Sequence, residues 1–276
     1  MKRLLAIEFD KIRYHKASKS IIISYFALLI GISLFASIKF DIGPIEFHLA
    51  DQGIFNFPFI WHFNTYIAAL LKFFLLLVIV SMTANEYSYK TIKQNLIDGL
   101  SKKEFILSKF YMVVVFSAIS TLFVFVISLI LGLIFSDFNE FSIIFSDLEY
   151  LVGYFFKLTA FFSFGLFLGL VVRKSAYAIG AMFIWFLFEL YMYFSIKQDI
   201  SESASEYLAY FFPLQSMSAL IHEPFTRFNA VKTVAKQVGE ELQYNYEVSF
   251  LNILSASLWA AIFIFASYYI LKQRDL

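Results

Sequence analysis

Residues 85–109 read NEYSYKTIKQNLIDGLSKKEFILSK, a polar stretch between two long apolar runs. The run Ile67 to Met82 precedes it with only one lysine, and the run Phe110 to Phe135 follows it. A transmembrane helix needs about 20 mostly apolar residues, and both flanks have that character. We therefore expect residues 85–109 to connect two membrane spans, and the helix signals inside this connection need their own explanation.

The composition is that of a polytopic membrane protein. Of the 276 residues, 60% are hydrophobic and 16% are charged, whereas soluble domains carry about 25% charged residues. A soluble core of this size cannot hide so much apolar surface, but lipid can accept it. The chain has no cysteine, and its four histidines form no ligand-spaced cluster. Disulfides, thiolate metal sites and histidine metal sites are therefore not expected.

Six segments are long and apolar enough to span a bilayer. They lie near residues 20–38, 63–83, 110–135, 150–172, 175–196 and 249–271. These runs far exceed the roughly 10 alternating residues of a membrane barrel strand, so the pattern predicts an all-α membrane protein with one transmembrane domain over 1–276. Gly165 and Gly169 have GxxxG spacing within a span and predict close helix packing.

The distribution of lysine and arginine predicts the orientation. Fifteen of the 22 basic residues fall in the leader 1–19, in 85–109, at 173–174 and at the carboxyl end, and five fall in the other loops. Cytoplasmic loops carry the excess of basic residues. We therefore expect both termini and the 85–109 loop in the cytoplasm of a bacterial cell whose inner membrane the chain spans.

The 85–109 stretch carries signals for a short amphipathic helix. Three apolar side chains recur at helical spacing on one face: Tyr89, Ile92 and Leu96. Gly99 is a natural left-handed stop, and Ser101 with Glu104 has the spacing of a capping box for the next helix. One interpretation is a well-capped loop. A connection that only turned could be about five residues long, so a docking surface is the favoured interpretation.

This stretch resembles the ABC-2 type permeases, the membrane subunits of certain ATP-driven exporters. In that family an acidic residue ends the second span, a helix with a lysine–threonine–apolar start follows, and a Gly-x-Ser turn leads into the third span. The matching residues are Glu86, Tyr89, Lys90, Thr91, Ile92, Leu96, Gly99, Leu100, Ser101, Phe105 and Lys109. The basic leader and residues 271–276 agree with the six-span layout of the family.

The resemblance implies a function divided between subunits. The helix at 86–99 would be a coupling helix that sits in a groove of a separate ABC ATPase subunit, present in two copies. ATP and Mg²⁺ would bind to that subunit, because this chain has no G-x-x-x-x-G-K-[ST] loop. No catalytic, cofactor-binding or metal-binding residue is assigned to the chain, and it is not expected to be an enzyme. A second permease subunit, identical or different, would complete the pathway, and nucleic acid is not an expected partner.

The leader 1–19 is expected to form an interfacial amphipathic helix. Leu5, Phe9 and Ile12 make an apolar stripe with basic residues around it, as in helices that lie at a membrane surface. A basic flank that only sets the topology explains the same residues. The resemblance favours the interfacial helix, which in that family also contacts the ATPase.

Three ionisable residues fall inside predicted spans: Lys72, Lys157 and Glu189. Charges at this depth are costly and often mark functional sites. Our hypothesis is that Glu189 pairs with Lys72, Lys157 or both. Such a pair would be either a structural contact between helices or part of a pathway, and lysines that extend toward the interface are the remaining interpretation.

The loop 197–248 is expected on the outer side of the membrane. Residues 207–221 are apolar, but Pro213 interrupts them and they are too short to span. ABC-2 permeases have short re-entrant helices here, and Phe211, Phe212 and Pro213 suit such a segment. An interfacial aromatic segment is the alternative.

Two function classes follow from these observations. The first is a permease subunit that forms half of the pathway of an ABC exporter, with an unidentified substrate. The alternative is an ATP-independent six-span transporter or channel that uses Lys72, Lys157 and Glu189. This alternative leaves the 86–99 helix unexplained, and spans 1–3 and 4–6 show no convincing similarity. A membrane-embedded enzyme is not supported, because Glu189 is the only acid within the spans and no histidine lies there.

Overall fold

Helices make up most of the chain, because a helix satisfies the backbone polar groups of an apolar segment internally. The computed structural model describes residues 2–38, 40–42, 45–47, 53–201, 205, 208, 210–228, 231–232, 235, 237 and 245–274. The helices are α1 (Lys2–Tyr14), α2 (Lys16–Ser37), α3 (Phe59–Leu70), α4 (Lys72–Ser88), α5 (Thr91–Ile97), α6 (Lys102–Phe135), α7 (Phe141–Ile144), α8 (Glu149–Val172), α9 (Ser175–Asp199), α10 (Pro213–Ser218) and α11 (Phe250–Gln273). A 3₁₀ helix spans Phe225–Arg227.

One short ribbon accompanies the helices. Strands β1 (Phe40–Ile42) and β2 (Ile45–Phe47) pair antiparallel, with Phe40 opposite Phe47. The ribbon lies between α2 and α3, outside the helices that are long enough to span a membrane, so it leaves the helical class unchanged.

Among the described residues, five helical segments are long and apolar enough to cross a membrane, namely α2, α6, α8 together with α7, α9 and α11. The pair α3 and α4 passes the same test together, which makes six spans if the pair counts as one. The prediction of an all-helical chain with several helices long and apolar enough to span a membrane is confirmed. Helix α6 has 34 residues and is therefore about 50 Å long, which exceeds the roughly 30 Å of a hydrocarbon core.

The predicted span 63–83 is not one straight helix, which corrects that part of the prediction. Helices α3 and α4 meet at Leu71 with a bend of 44°. There the N–H of Leu71 donates to the Ala68 carbonyl at 3.1 Å, and the N–H of Phe74 donates to the Leu71 carbonyl at 3.1 Å. These are the tighter i→i−3 bonds of a 3₁₀ turn. Neither proline nor glycine marks the position, so hydropathy could not reveal it.

Helix α8 is the centre of the bundle. It is buried along most of its length and contacts α4, α6, α9 and α11. A Cβ at Gly165 would collide with the Leu76 side chain of α4, and a Cβ at Gly169 would lie 3.6 Å from Thr83. The predicted close packing at this glycine pair is therefore confirmed. Helix α9, in contrast, buries only Ala178, Met182 and Glu189.

The two ends of the bundle differ in the chain segments that meet there. At one end, Lys102 Nζ at the start of α6 donates to the carbonyls of Lys272 (3.2 Å) and Arg274 (2.8 Å) after α11. Helix α1 packs against α6 near the same place. We call this the α1 end. At the opposite end, Trp61 Nε1 of α3 donates to the Ile144 carbonyl of α7 at 2.9 Å.

The predicted re-entrant segment corresponds to α10. This helix packs against α8, α9 and α11. Pro213 is its first residue, a position where its missing N–H costs nothing. Phe211 is exposed, Phe212 is half-buried and Pro213 is buried. Much of the rest of the 197–248 loop, including 202–204 and 238–244, lies outside the described residues.

Candidate functional site

The polar stretch between α4 and α6 contains a separate short helix, α5. Tyr89 is the cap that ends α4, and Lys90 is left-handed with φ of 56°, so the chain turns before α5 begins at Thr91. The prediction of one helix over 86–99 is therefore wrong. Glu86 lies in the last turn of α4, and Tyr89 lies outside α5. A left-handed lysine leaves no signal in the sequence, because glycine and asparagine are the residues that normally adopt this conformation.

The end of α5 is a Schellman motif. Gly99 has φ of 95°, and its N–H donates to the Leu96 carbonyl at 3.2 Å. The N–H of Leu100 donates to the Asn95 carbonyl at 3.0 Å. The predicted left-handed stop at Gly99 is confirmed, and these two backbone hydrogen bonds close the carboxyl end of the helix.

A capping box starts α6 directly afterwards. The Glu104 N–H donates to Ser101 Oγ at 3.2 Å, and the Ser101 N–H donates to Glu104 Oε2 at 2.9 Å. This prediction is also confirmed. Only Leu100 separates the left-handed glycine from the capping serine, so α5 is joined to α6 by a short and well-defined turn.

The two faces of α5 are not the predicted ones. Ile92 is only 2% exposed and Leu96 is half-buried against the core. Tyr89 and Ile97 are 73% and 76% exposed. Ile92 and Leu96 therefore attach α5 to the bundle and do not form its outer surface. The apolar side chains that a partner would meet are those of Tyr89 and Ile97, with the exposed Lys93 beside them.

A cluster of four charged side chains lies where α1, α4 and α6 meet. Its members are Glu8, Lys11, Glu86 and Lys109. Lys109 Nζ donates to Glu8 Oε2 at 2.6 Å and also contacts Glu86 Oε1. Lys11 Nζ donates to Glu86 Oε1 at 2.7 Å and to Glu8 Oε1 at 3.1 Å. We call these residues the four-charge cluster.

The four-charge cluster is mostly buried, so it joins packed helices and is not a contact at the protein surface. Glu8, Glu86 and Lys109 are buried, and Lys11 is half-buried. Its two carboxylates and two ammonium groups balance in charge, which is the condition under which a buried ionic group is tolerated. The cluster therefore ties α1 to the last turn of α4 and to α6.

Sequence reasoning missed Glu8 and Lys11. The expected apolar stripe of α1 was Leu5, Phe9 and Ile12, but Phe9 is exposed and Glu8 occupies the inward face between Leu5 and Ile12. An acid in the middle of an apolar helical face needs a partner, and the spacing of Leu5, Glu8 and Ile12 was the available signal. Residues 16–19 of the leader belong to α2, since His15 caps that helix.

The four-charge cluster shifts the pKa values of two of its members. Burial raises the pKa of Glu8, but the ammonium groups of Lys109 and Lys11 outweigh burial and hold it below its ordinary value of 4.5. Burial lowers the pKa of Lys11, but the carboxylates of Glu86 and Glu8 outweigh it and hold that pKa above 10.5. Both side chains therefore stay charged over the neutral range.

Glu189 binds the first turn of α10. Its carboxylate accepts hydrogen bonds from Trp185 Nε1 at 2.6 Å, from the Leu214 N–H at 3.1 Å and from the Gln215 N–H at 3.0 Å. Among the described residues it forms no ion pair with a lysine. The predicted pair with Lys72 or Lys157 is therefore wrong, because the free N–H groups of a helix start satisfy the carboxylate instead.

Lys157 binds the other end of α10. It is 5% exposed, and its Nζ donates to the carbonyls of Ser218 and Ile221, both at 3.3 Å. Lys72 lies apart from these contacts, with its Nζ 4.7 Å from the ring centroid of Phe161. Lys157 and Glu189 thus bracket α10 with the charge signs that suit its dipole. Within the described ranges, no three histidine or acidic side chains are grouped to hold a metal ion.

Residues 20–276 match the sequence family described as a protein of unknown function, DUF2705. The chain belongs to the DUF2705 family. A comparison with curated proteins finds no match. The match covers helices α3 to α11 in full and all but the first four residues of α2.

Substituting Lys109 in this DUF2705 member tests the four-charge cluster. Lys109→Met leaves the buried carboxylates of Glu8 and Glu86 with only the half-buried Lys11 beside them, and the loss of a buried ionic partner costs about 3–5 kcal/mol. We expect a large drop in the thermal unfolding temperature of the purified chain. Lys103→Met removes an exposed lysine of the same helix and should have almost no effect. Equal effects of the two substitutions would contradict the assignment.

The pKa of Glu8 predicts a pH dependence of stability. Since this pKa is lower in the folded chain than in the unfolded chain, the stabilisation is present above pH 4.5 and is lost as the pH falls through the folded value. We expect the unfolding temperature of the native chain to fall more steeply below about pH 4.5 than that of Glu8→Gln. Thermal unfolding of both across this range measures the difference, and parallel curves would rule out the Glu8 contribution.

The left-handed Gly99 predicts a local effect. Gly99→Ala forces a Cβ into φ of 95° although space is open around it, at a cost of about 1–2 kcal/mol. We expect amides of residues 91–97 to exchange hydrogen about 5- to 30-fold faster. Gly180→Ala also adds a Cβ in open space, but within helix α9, and should leave exchange at 91–97 unchanged. Unchanged exchange in Gly99→Ala would show that this glycine does not hold α5.

Proposed function

We propose that this DUF2705 member is the permease subunit of an ABC-2 type exporter and that α5 couples it to a separate ABC ATPase subunit. The observation that carries the proposal is the attachment of α5. This seven-residue helix is fixed to α4 by the left-handed Lys90 and to α6 by the Gly99 stop and the Ser101 cap. A plain connection between two helices does not need a rigid helix of its own.

The rigid attachment suits a mechanical role. A force applied to α5 acts on the last turn of α4, because Ile92 and Leu96 hold α5 against the bundle. Glu86 in that turn binds Lys109 of α6 and Lys11 of α1. The three helices would therefore respond together, which is what coupling to nucleotide-driven closure of an ATPase pair requires.

The outer surface of α5 has the composition of a docking site. Tyr89 and Ile97 are large exposed side chains, and aromatic anchors such as tyrosine often dominate protein interfaces. A cleft of about 320 Å³ lies beside Tyr89, between α1, α4 and α5. Glu86 lines it, and its buried Oε2 has no hydrogen-bond partner among the described residues. A donor group from the ATPase would satisfy that oxygen.

The remainder of the proposal concerns assembly and location. Helix α9 exposes the large apolar side chains Phe183, Ile184 and Phe188, which suits contact with lipid or with a second permease subunit. We propose that two permease subunits form the pathway, that ATP and Mg²⁺ bind to the two ATPase copies, and that α10 is a re-entrant segment. The α1 end would lie in the cytoplasm of a bacterial cell, by the distribution of basic residues.

One observation favours the alternative, an ATP-independent transporter. The span formed by α3 and α4 is broken by 44° at Leu71, next to the intramembrane Lys72. Broken spans at charged sites are common in secondary transporters. That function needs no partner at α5, so a test of ATPase binding separates the two proposals.

Co-purification with an ATPase tests the exporter proposal. The tagged ABC ATPase subunits of the same organism are co-expressed with the chain and purified in detergent. We expect one of them to retain the native chain. The double variant Tyr89→Asp/Ile97→Asp should reduce the retained amount about tenfold or more, because two exposed anchors become charged.

A matched control separates docking from general surface change. Phe141 at the start of α7 is 78% exposed, and Phe141→Asp should leave co-purification intact. Both variants should elute as the native chain does on gel filtration. A native chain that never binds any of the folded ATPase subunits would overturn the exporter proposal and leave the ATP-independent transporter.

A further inference from the structure

A cavity of about 380 Å³ lies between α4, α8, α9 and α10. Phe161, Met182 and Met217 line it together with two lysines, Lys72 and Lys157. Lys157 lies about 12 Å along the helix axis from the start of α8, so the cavity is at membrane depth. The volume lies within the range of about 300–1,000 Å³ that is typical of small-molecule sites.

The two lysines lie near the same residue of the cavity lining, Phe161. The Nζ of Lys72 lies 4.7 Å from the ring centroid of Phe161. Phe161 is one helical turn after Lys157 on α8, so the two side chains share a helix face. Lys157 donates two hydrogen bonds to carbonyls, which leaves one of its three N–H donors available.

Neither lysine has a counter-ion within the described part of the chain. No ion pair involves Lys72 or Lys157 there. Glu189, the acid of the neighbouring helix, is occupied by Trp185 and by the backbone of α10. Two ammonium groups in an apolar cavity at this depth are costly without a negative charge beside them. A ligand that brings an anion would remove this cost.

The cavity has an open side that favours a ligand with an apolar tail. Phe73 of α4 and Phe183 and Phe186 of α9 line it and are each at least 44% exposed. They form an apolar exit from the cavity toward the outer surface of α9. A compact hydrophilic anion would gain nothing from this surface, whereas a hydrocarbon chain can lie along it and make dispersion contacts with the three rings.

We propose that this cavity binds a single-chain amphipathic anion, with its carboxylate or phosphate monoester between Lys72 and Lys157 and its tail along the exposed phenylalanines. The proposal goes beyond the coupling function, because it needs no ATPase and uses no residue of α5 or of the four-charge cluster. Its failure would therefore leave the exporter proposal untouched, and the reverse also holds.

Binding of palmitate to the purified chain tests the proposal. The chain alone is placed in nanodiscs of phosphatidylcholine and titrated with radiolabelled palmitate. We expect saturable binding with one palmitate per chain, and no competition by hexadecanol, which has the same tail and no charge. Competition by hexadecanol equal to that by unlabelled palmitate would overturn the role of the lysines.

Substitutions at Lys72 give the sharper test, because this lysine makes no hydrogen bond that α10 needs. Lys72→Gln should weaken palmitate binding at least tenfold, and Lys72→Arg should retain it. Lys174→Gln removes an exposed lysine outside the cavity and should bind as the native chain does. Lys157→Gln should also weaken binding, and its thermal unfolding curve shows whether α10 is disturbed. Native affinity in Lys72→Gln would overturn the proposal.

Two further arms identify the source of the anion. Acetate in excess should not displace palmitate; displacement would show that the tail contributes nothing and would overturn the amphipathic part. Phosphatidylglycerol added to the nanodiscs should leave palmitate binding unchanged. Loss of palmitate binding in that arm would assign the cavity to a two-chain membrane lipid and overturn the single-chain assignment.

Discussion

Lys109 binds two carboxylates that come from different helices, and the α1 end of the bundle depends on this shared contact. Glu8 reaches it from α1 and Glu86 from the last turn of α4. Each buried ion costs several kcal/mol to desolvate, and only its opposite charges and hydrogen bonds repay that cost. The four-charge cluster is therefore a coupled unit, in which losing Lys109 leaves two buried carboxylates with only the half-buried Lys11 to balance them. The position of α5 follows from it, because α5 starts only five residues after Glu86.

The charges inside the membrane are satisfied differently. Glu189 and Lys157 do not contact each other; each binds one end of α10, the acid at the backbone N–H groups and the lysine at the carbonyls. A six-residue helix leaves most of its backbone groups without internal partners, and a bilayer offers no water to replace them. The two charged side chains thus satisfy backbone groups at the ends of α10, and α10 supplies hydrogen bonds that the two charges need at membrane depth. Lys72 has no such partner among the described residues, and it lines the cavity that we propose as an anion site.

The parts of the fold that could be predicted are those set by local chemistry. Spans follow from apolar length, because a long apolar segment is what the hydrocarbon core accepts. The Gly99 stop and the Ser101–Glu104 box follow from contacts between residues no more than five apart. The bend at Leu71 and the left-handed Lys90 could not be predicted, because tertiary packing imposes both on residues with no such preference. The faces of α5 were misassigned for the same reason. Helical spacing groups Tyr89 with Ile92, but the turn at Lys90 separates them.

Helix α4 connects the two regions on which the proposals rest. It begins at Lys72, at the wall of the intramembrane cavity, and its last turn holds Glu86 of the four-charge cluster. Its 17 residues make a rod about 25 Å long, and α8 supports it through the close contacts at Gly165 and Gly169. The bend at Leu71 separates α4 from α3, and under the exporter proposal α4 would tilt about this bend without α3. A displacement of α5 would then change the distance between Lys72 on α4 and Lys157 on α8. By itself, the broken span favours an ATP-independent transporter. Under the exporter proposal, the same bend at Leu71 is the joint through which a docked ATPase would act on the anion cavity.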